Sequence, residues 1–256
     1  MRLQALTLAL LFCGPLLNGQ QADRVPEDVS IDSKQAWKQL AGNVLNDQKH
    51  VIAFPWQLVR HGNHWKATLV LSAATAGLIA LDAHDAPYFR RTGRFDEFNE
   101  IASATNTAGL LIAVPVADYA WSAQTRNTYG KQTVFLAVEA MADAQIAAFG
   151  LQMVTRRLRP ADVAPYGDFG NTWFRADPLA RKSFPSGHAI TAFALADVFS
   201  ERYASHRWVP WVAYGLAGTI AFSRITTQGH FPSDVVAGAA LGTILSHYLV
   251  LHHHAH

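Results

Sequence analysis

The sequence is short of cysteine and of net charge. Cys13 is the single cysteine among 256 residues, so no disulfide can form within the chain, and cysteine usage says nothing about the redox compartment. The formal net charge is +2 at pH 7, which is too small to suggest a nucleic-acid partner. These two scarcities exclude a disulfide-stapled domain and argue against nucleic-acid binding.

Strand signals are also scarce. Apolar and polar residues seldom alternate with the period of two that marks a half-buried strand, whereas long runs keep a helical pattern. Charged residues make up only 16% of the chain and hydrophobic residues 50%, enough to bury one sizeable core. No repeat or low-complexity linker divides the chain. The sequence therefore predicts one all-α domain, a helical bundle.

The N-terminus carries an apolar leader. A basic start is followed by an apolar stretch from Leu3 to Leu17, which is typical of a secretory signal. At about 15 residues it is short for a membrane anchor, the alternative. Residues 1–22 are predicted to be this signal or anchor, residues 23–64 a polar extension, and residues 65–256 the functional domain. The chain ends in a histidine-rich tail, 252–256, to which the sequence assigns no role.

Six helices are predicted from apolar runs with helical spacing. They cover Trp65 to Leu81, Glu100 to Trp121, Gln132 to Leu158, Gly187 to Tyr203, Trp208 to Ser223 and Val235 to His252. Whether they cross a membrane stays open at this point. The sixth is almost free of charge over about 17 residues, the lower limit for a span. The third contains Glu139 and Asp143, which exposure to lipid would make costly.

One short segment stands between a basic loop and the fourth helix: Ser183-Phe184-Pro185-Ser186-Gly187-His188. It places Ser186 and Gly187 at the helix N-terminus, where free backbone N–H groups and the positive end of the helix dipole bind anions. His188 then stands beside such an anion as a proton donor. The alternative is that Ser186 only caps the helix and His188 is a surface residue.

Two further segments carry arginine or histidine. The third helix ends in Arg156-Arg157-Leu158-Arg159-Pro160. This is either a phosphate-binding wall of guanidinium groups or a set of ordinary dipole partners before a proline stop. Between the fifth and sixth helices, His230 and Asp234 are four residues apart. This spacing allows the carboxylate to fix the imidazole tautomer and leave the other nitrogen as a nucleophile. The alternative is that Asp234 caps the helix and His230 is a turn residue.

Together the three segments resemble the signature of the type 2 phosphatidic acid phosphatase (PAP2) superfamily, which includes bacterial non-specific acid phosphatases and vanadium haloperoxidases. That signature reads Lys-x6-Arg-Pro, then Pro-Ser-Gly-His, then Ser-Arg-x5-His-x3-Asp. The second and third segments match in full, and the first matches except that Gln152 stands where the superfamily has lysine. The matching residues are Arg159, Pro160, Pro185 to His188, Ser223, Arg224, His230 and Asp234.

The resemblance implies a role for each matching residue. His230 attacks phosphorus to form a phosphohistidine, Asp234 orients it, and His188 protonates the leaving oxygen and later activates water. The phosphate oxygens are held by Arg159, Ser186, Gly187 and Arg224. The resemblance also implies that no metal or other cofactor is needed, because arginines and a helix N-terminus supply the positive charge that a metal ion supplies elsewhere.

Gln152 is the departure from the signature. An amide still donates a hydrogen bond but adds no charge. Arg156, one helical turn further along, is predicted to replace the missing lysine because of its i+4 spacing, and Lys182 is a second candidate. The alternative is a weaker enzyme, or one with a shifted specificity. Gln152 and Arg156 are therefore included in the predicted phosphate site.

The predicted function is a metal-independent phosphatase of the cell envelope that hydrolyses phosphate monoesters or diphosphates. Phosphorylated lipids such as phosphatidic acid or a prenyl diphosphate are the favoured substrates. The alternatives are a non-specific periplasmic phosphatase acting on soluble phosphomonoesters and a vanadate-dependent haloperoxidase with vanadate on His230. The leader predicts export to the periplasmic side, and the apolar bundle predicts membrane contact.

Overall fold

The computed structural model describes residues 39–49 and 65–247, and all regular structure in those two ranges is helical. The helices are α1 (39–49), α2 (Trp65–Arg91), α3 (Asp96–Ile101), α4 (Ala104–Gln124), α5 (Thr128–Thr155), α6 (Gly187–Arg202), α7 (Val209–Thr226) and α8 (Pro232–Leu245), with a 3₁₀ turn at Pro160–Asp162. The predicted all-α fold is confirmed. The leader and the histidine tail lie outside the described residues.

Helix α6 lies at the centre of the bundle, where α5, α7 and α8 pack against it. Small side chains on one face of α5 allow the close approach of α6, because they recur at three- and four-residue steps. They are Ala137, Ala140, Ala144 and Ala148, each no more than 1% exposed. The helix that begins at Gly187 is therefore enclosed by other helices on several sides.

The six predicted helices are present, but several ends differ from the prediction. α2 continues past Leu81, through Pro87, to Arg91. The predicted start of the second helix at Glu100 is wrong, because α3 ends nearby and Ser103 caps a separate helix, α4. The Ser103 Oγ accepts a hydrogen bond from the backbone N–H of Asn106 at 3.3 Å. A local capping side chain therefore decides this boundary.

The later helices also shift at their ends. α5 stops at Thr155 because Arg156 takes a left-handed conformation with a φ of 43°. α8 starts at Pro232 rather than Val235, since proline fits the first turn of a helix. One short helix, α1, lies within the stretch predicted as a polar extension.

The crossing of α6 and α8 is close enough to require glycine. A Cβ added to Gly242 would lie 2.1 Å from the Ile190 carbonyl oxygen, and one added to Gly238 would lie 2.8 Å from the Ser186 carbonyl oxygen. We expect Gly242→Ala to lower the free energy of unfolding by about 2–3 kcal/mol, because the α6 backbone must move to admit a methyl group. The measurement is denaturant unfolding of the variant and the wild type.

The matched control is Gly218→Ala on α7, where an added Cβ meets nothing within 4 Å. That substitution is expected to be neutral, or to stabilise by up to about 1 kcal/mol through helix propensity. Equal unfolding free energies for the two variants would contradict the close crossing.

Among the described residues, one helical segment is long and apolar enough to cross a membrane by length and composition. It is Thr128–Asp162, with a mean hydropathy of 1.5, and half of its apolar window is buried inside the bundle. The central helices of soluble bundles share these properties.

Candidate active site

The segment from Ser183 to His188 turns directly into α6. Ser186 is the N-cap, and its Oγ accepts a hydrogen bond from the Ala189 N–H at 3.4 Å. The Ser186 N–H donates to the backbone carbonyl of Asp234 at 3.0 Å. The predicted position of Ser186 and Gly187 at a helix start is confirmed, and that start is tied to the first turn of α8.

His230 is buried, with only 3% of its surface exposed. Its Nδ1 lies 2.6 Å from the Ser183 carbonyl oxygen. We assign the hydrogen to Nδ1, because a carbonyl can only accept, and this leaves the lone pair on Nε2. Burial and then the charge of Arg159 lower the pKa of His230 to about 3, against the opposing effect of the Ser183 bond. The imidazole is therefore neutral near pH 7, the state that a nucleophile requires.

The predicted direct pairing of Asp234 with His230 is wrong. Oδ2 of Asp234 accepts hydrogen bonds from the Ser183 hydroxyl at 2.5 Å and the Phe231 N–H at 2.8 Å, and Oδ1 accepts one from Arg157 at 2.6 Å. His230 precedes α8 whereas Asp234 lies in its first turn, so the two do not form a helical i,i+4 pair. Asp234 is therefore linked to His230 through Ser183, whose carbonyl bonds the ring, and through Phe231, the next residue in the chain.

Arg157 belongs to the segment predicted as a possible phosphate-binding wall but was given no role of its own, and its guanidinium group joins α2 to α8. It is 1% exposed and donates to Asp82 at 2.7 Å, to Asp234 at 2.6 Å and to the Ser233 hydroxyl at 2.8 Å. The sequence contained one indication of this ion pair. Asp82 lies next to apolar residues, and a carboxylate buried among such residues needs a partner. The predicted helix end at Leu81 concealed it.

Arg159 and Arg224 bring positive charge to His230. Both charges lower the pKa of His230, so both guanidinium groups lie within electrostatic reach of the ring. Burial and then Arg159 lower the pKa of Arg224, and burial and then Arg181 lower the pKa of Arg159. The Nη2 of Arg224 donates a hydrogen bond to the Ser223 hydroxyl oxygen at 2.8 Å. Cations this close repel one another until an anion lies between them.

His188 lies in the first turn of α6 and is partly exposed. Its Nε2 is 3.1 Å from the carbonyl oxygen of Ala104, at the start of α4. Burial lowers the pKa of His188, the Ala104 bond opposes that effect, and the charges of Arg224 and Arg159 lower the pKa further. An anion bound at the arginines offsets their repulsion, so phosphate binding favours the protonated form of His188.

Gln152 faces the Pro185–His188 segment from α5. Its Nε2 donates to the Pro185 carbonyl oxygen at 2.9 Å and would lie 4.0 Å from a Cβ on Gly187. On the same helix, Gln145 Nε2 donates to the Gly187 carbonyl oxygen at 3.1 Å and to the Thr191 hydroxyl at 2.6 Å. These amides hold the start of α6 without adding charge.

The two predicted replacements for the missing lysine both bond to loop carbonyls. Arg156 is the C-cap of α5, and its Nε donates to the Ala176 carbonyl oxygen at 3.0 Å. The predicted placement on one helical face with Gln152 is wrong, because the helix does not continue through Arg156. Lys182 is 6% exposed, and its Nζ donates to the Pro178 carbonyl oxygen at 2.6 Å. A contact of either cation with phosphate stays a prediction.

The candidate site combines the neutral imidazole of His230, the imidazole of His188, the guanidinium groups of Arg159 and Arg224, and the N-terminus of α6. An anion bound there favours protonation of His188. Positive charge around three equatorial oxygens is what a phosphoryl group needs during transfer. A nucleophile and a separate proton donor complete the requirements for displacement at phosphorus. These are the groups that transfer of a phosphoryl group to an imidazole and then to water would require.

Comparison with known proteins finds the same superfamily that the three sequence segments resemble. Residues 133–255 match the profile of the PAP2 superfamily. Over 72 residues the chain is 42% identical to a lipid A 1-phosphatase of Porphyromonas gingivalis, covering 28% of this chain and 16% of that protein. Over 92 residues it is 35% identical to a lipid A 1-phosphatase of Rhizobium etli, covering 36% of this chain and 38% of that protein.

The chain thus spans well under half the length of these two relatives. The crystal structure of Aquifex aeolicus LpxE aligns with a TM-score of 0.44 and 23% identity, over 69% of this chain and 94% of that one. The resemblance inferred from the motifs is confirmed by the profile match, which contains all three segments. Over residues 133–255 this chain is therefore similar to the PAP2 superfamily.

Proposed function

We propose that this chain is a phosphatase that removes phosphate from phosphorylated lipids of the bacterial envelope through a phosphohistidine at His230. The observation that carries the proposal is the state of His230. Its ring is buried and neutral, Ser183 holds its Nδ1, and the charges of Arg159 and Arg224 reach it. A neutral imidazole among cations is suited to attack an anionic phosphate ester.

The proposed reaction has two steps. The Nε2 lone pair of His230 attacks phosphorus, the bond from phosphorus to the ester oxygen breaks, and His188 gives its proton to that oxygen. His188 then takes a proton from water, the resulting hydroxide attacks phosphorus, and the bond from nitrogen to phosphorus breaks to release phosphate. Arg159, Arg224 and the N–H groups at the start of α6 balance the charge on the phosphoryl oxygens, so no metal ion takes part in these steps.

Exposed apolar side chains support a lipid substrate. Six large apolar residues on α4, α5 and α7 are at least half exposed: Ile112, Val116, Phe149, Val154, Trp211 and Leu216. Large apolar side chains exposed on several helices favour contact with a membrane. Two relatives are named as phosphatases of lipid A, which is an envelope lipid. The proposed location is the periplasmic side, in or against the membrane, as the leader predicts.

The test is phosphate release in EDTA from three substrates: short-chain phosphatidic acid, a prenyl diphosphate and p-nitrophenyl phosphate. Release from either lipid, faster than from p-nitrophenyl phosphate, supports the proposal. Preference for the soluble ester indicates a non-specific acid phosphatase instead. If no substrate releases phosphate but the vanadate-loaded protein oxidises bromide, the chain is a haloperoxidase and the proposal is overturned.

The pH dependence follows from the two histidines. His230 must be neutral, so kcat/KM is expected to fall below its pKa of about 3. His188 must be protonated, and its pKa is lowered from the ordinary value, so kcat/KM is expected to fall as pH rises through a value below about 6.5. The optimum of kcat/KM is therefore acidic, and the alkaline limb of kcat lies at higher pH because bound phosphate raises the pKa of His188. His188→Asn should abolish the alkaline limb; an unchanged limb would contradict this assignment.

Gln152 provides a test of the departure from the signature. Gln152→Ala removes the hydrogen bond to Pro185, worth about 1 kcal/mol, and is expected to lower kcat/KM about fivefold. Gln152→Lys adds a charge beside the start of α6 and is expected to raise kcat/KM about tenfold. Met153→Lys is the matched control, because Met153 is 42% exposed on the same turn. An equal rise in that control would mean that net charge alone explains the effect.

A further inference from the structure

A second group of chemically active side chains lies at the other end of α6. Asp197 and Glu201 are one helical turn apart on that helix, and His247 lies just beyond α8. One ligand atom from each residue lies within 4.8 Å of the other two. The His247 Nδ1 and the Asp197 Oδ2 are 3.8 Å apart.

These separations are close to those of a metal-bound set. Zinc binds imidazole nitrogen and carboxylate oxygen at about 2.0–2.2 Å, so two of its ligand atoms are at most about 4 Å apart. The 3.8 Å pair already meets that limit. Glu201 is exposed, so its side chain can rotate to close the remaining separation. Three protein ligands leave a fourth position for water, and the exposed side of the group allows an ion to enter.

Asp197 is held in a fixed orientation, as metal-binding carboxylates are. It is 3% exposed. The Tyr214 hydroxyl donates to its Oδ1 at 3.0 Å, and the Ser246 hydroxyl donates to its Oδ2 at 2.7 Å. A carboxylate oxygen retains a further lone pair when it accepts one hydrogen bond. The buried carboxylate also lies one turn from a second acid, a like-charge spacing that is unfavourable without a cation.

We propose that Asp197, Glu201 and His247 bind a divalent transition-metal ion of the zinc type. One imidazole with two carboxylates is a ligand set for such an ion. The site is roughly 14–20 Å along α6 from His188, at 1.5 Å per residue, so it is separate from the phosphoryl chemistry. The ion would join α6 to the C-terminal end of α8, the two helices whose other ends carry Ser186 and Asp234.

The test uses the full-length chain with the tail histidines removed, because they also bind transition metals. His252, His253, His254 and His256 are replaced by alanine in every protein. Co²⁺ binding is followed by its visible absorption, and thermal unfolding is measured with Zn²⁺ or EDTA. We compare this background protein with His247→Ala, Glu201→Gln and His84→Ala. His84 is an exposed histidine 2.8 Å from a single carboxylate, that of Asp85, so it controls for ordinary surface pairs.

The expected result is one Co²⁺ per chain and a rise in melting temperature with Zn²⁺. His247→Ala and Glu201→Gln should each weaken Co²⁺ binding about tenfold or more, while His84→Ala leaves it unchanged. Unfolding in EDTA shows whether each variant is folded without metal. The proposal is overturned if the background protein gives no saturable Co²⁺ absorption, or if His247→Ala binds as well as the background. An absence of saturable Co²⁺ absorption would mean that His247 and Asp197 form only an ion pair.

Discussion

His230→Ala is expected to reduce phosphate release about 10⁴-fold or more, because the variant has no nucleophile for the first step. The arginines and the start of α6 still bind the phosphate, so KM should change much less than kcat. A phosphorylated intermediate is expected in the wild type, trapped by quenching in alkali, where phosphohistidine is stable. The variant should show no such label.

Two further proteins make this result interpretable. His84→Ala removes an exposed histidine and should keep wild-type activity. His230→Asn keeps a side-chain donor near the Ser183 carbonyl, so it serves if the alanine variant fails to fold. Phosphate release by a folded His230 variant within tenfold of the wild type would place the nucleophile elsewhere.

Arg157→Met is expected to cause the largest loss of stability, about 3–5 kcal/mol, because it leaves the buried carboxylates of Asp82 and Asp234 without their cation. Both carboxylates and the guanidinium group are at most 1% exposed, so water does not replace the lost partner. The measurement is the free energy of unfolding by denaturant. Combining Arg157→Met with Asp82→Asn should recover part of the loss, since only one buried acid then lacks its partner.

Activity separates a positioning role of Arg157 from a purely structural one. Asp234 bonds Ser183 and Phe231 only in the correct orientation, so Arg157→Lys is expected to lower kcat, with KM nearly unchanged, even where the protein is folded. Arg202→Met is the matched control. Arg202 is 6% exposed and bonds the Thr133 hydroxyl at 3.0 Å, at the opposite end of α6, so its loss should lower stability while the folded protein keeps its kcat. Equal kcat losses in the two variants would contradict the positioning role.

Local patterns in the sequence were sufficient for much of the fold. Apolar periodicity located six helices, and the cap at Ser186 placed the start of the central one, because each of these signals lies within a few neighbouring residues. The helix boundaries were less accurate where one residue changes the backbone direction. Arg156 adopts a positive φ, a conformation for which arginine has no preference, so periodicity alone extended α5 too far.

The candidate site could be predicted where its residues belong to the signature, and it was missed where distant side chains or backbone groups contribute. The partner of the His230 Nδ1 is a main-chain carbonyl, that of Ser183, which leaves no trace in residue identity. The ion pair between Arg157 and Asp82 joins residues 75 positions apart, beyond any local pattern. The spacing of His230 and Asp234 allowed direct contact through a helical turn or a tight turn, but α8 begins between the two residues and the carboxylate bonds to other donors.

The glycine contacts between α6 and α8 have a consequence for which parts of the chain can change without disturbing the bundle. Gly238 faces the carbonyl of Ser186, so the backbones of α6 and α8 lie against each other at the start of α6. Because the backbones are in contact, we expect substitutions of core side chains to change the distance between α6 and α8 very little. Under the proposed function, we therefore expect a change of head-group preference to come from substitutions outside the helix pair, such as in residues 92–103 and 163–182. A library built on this chain should randomise those residues and leave the helix pair intact.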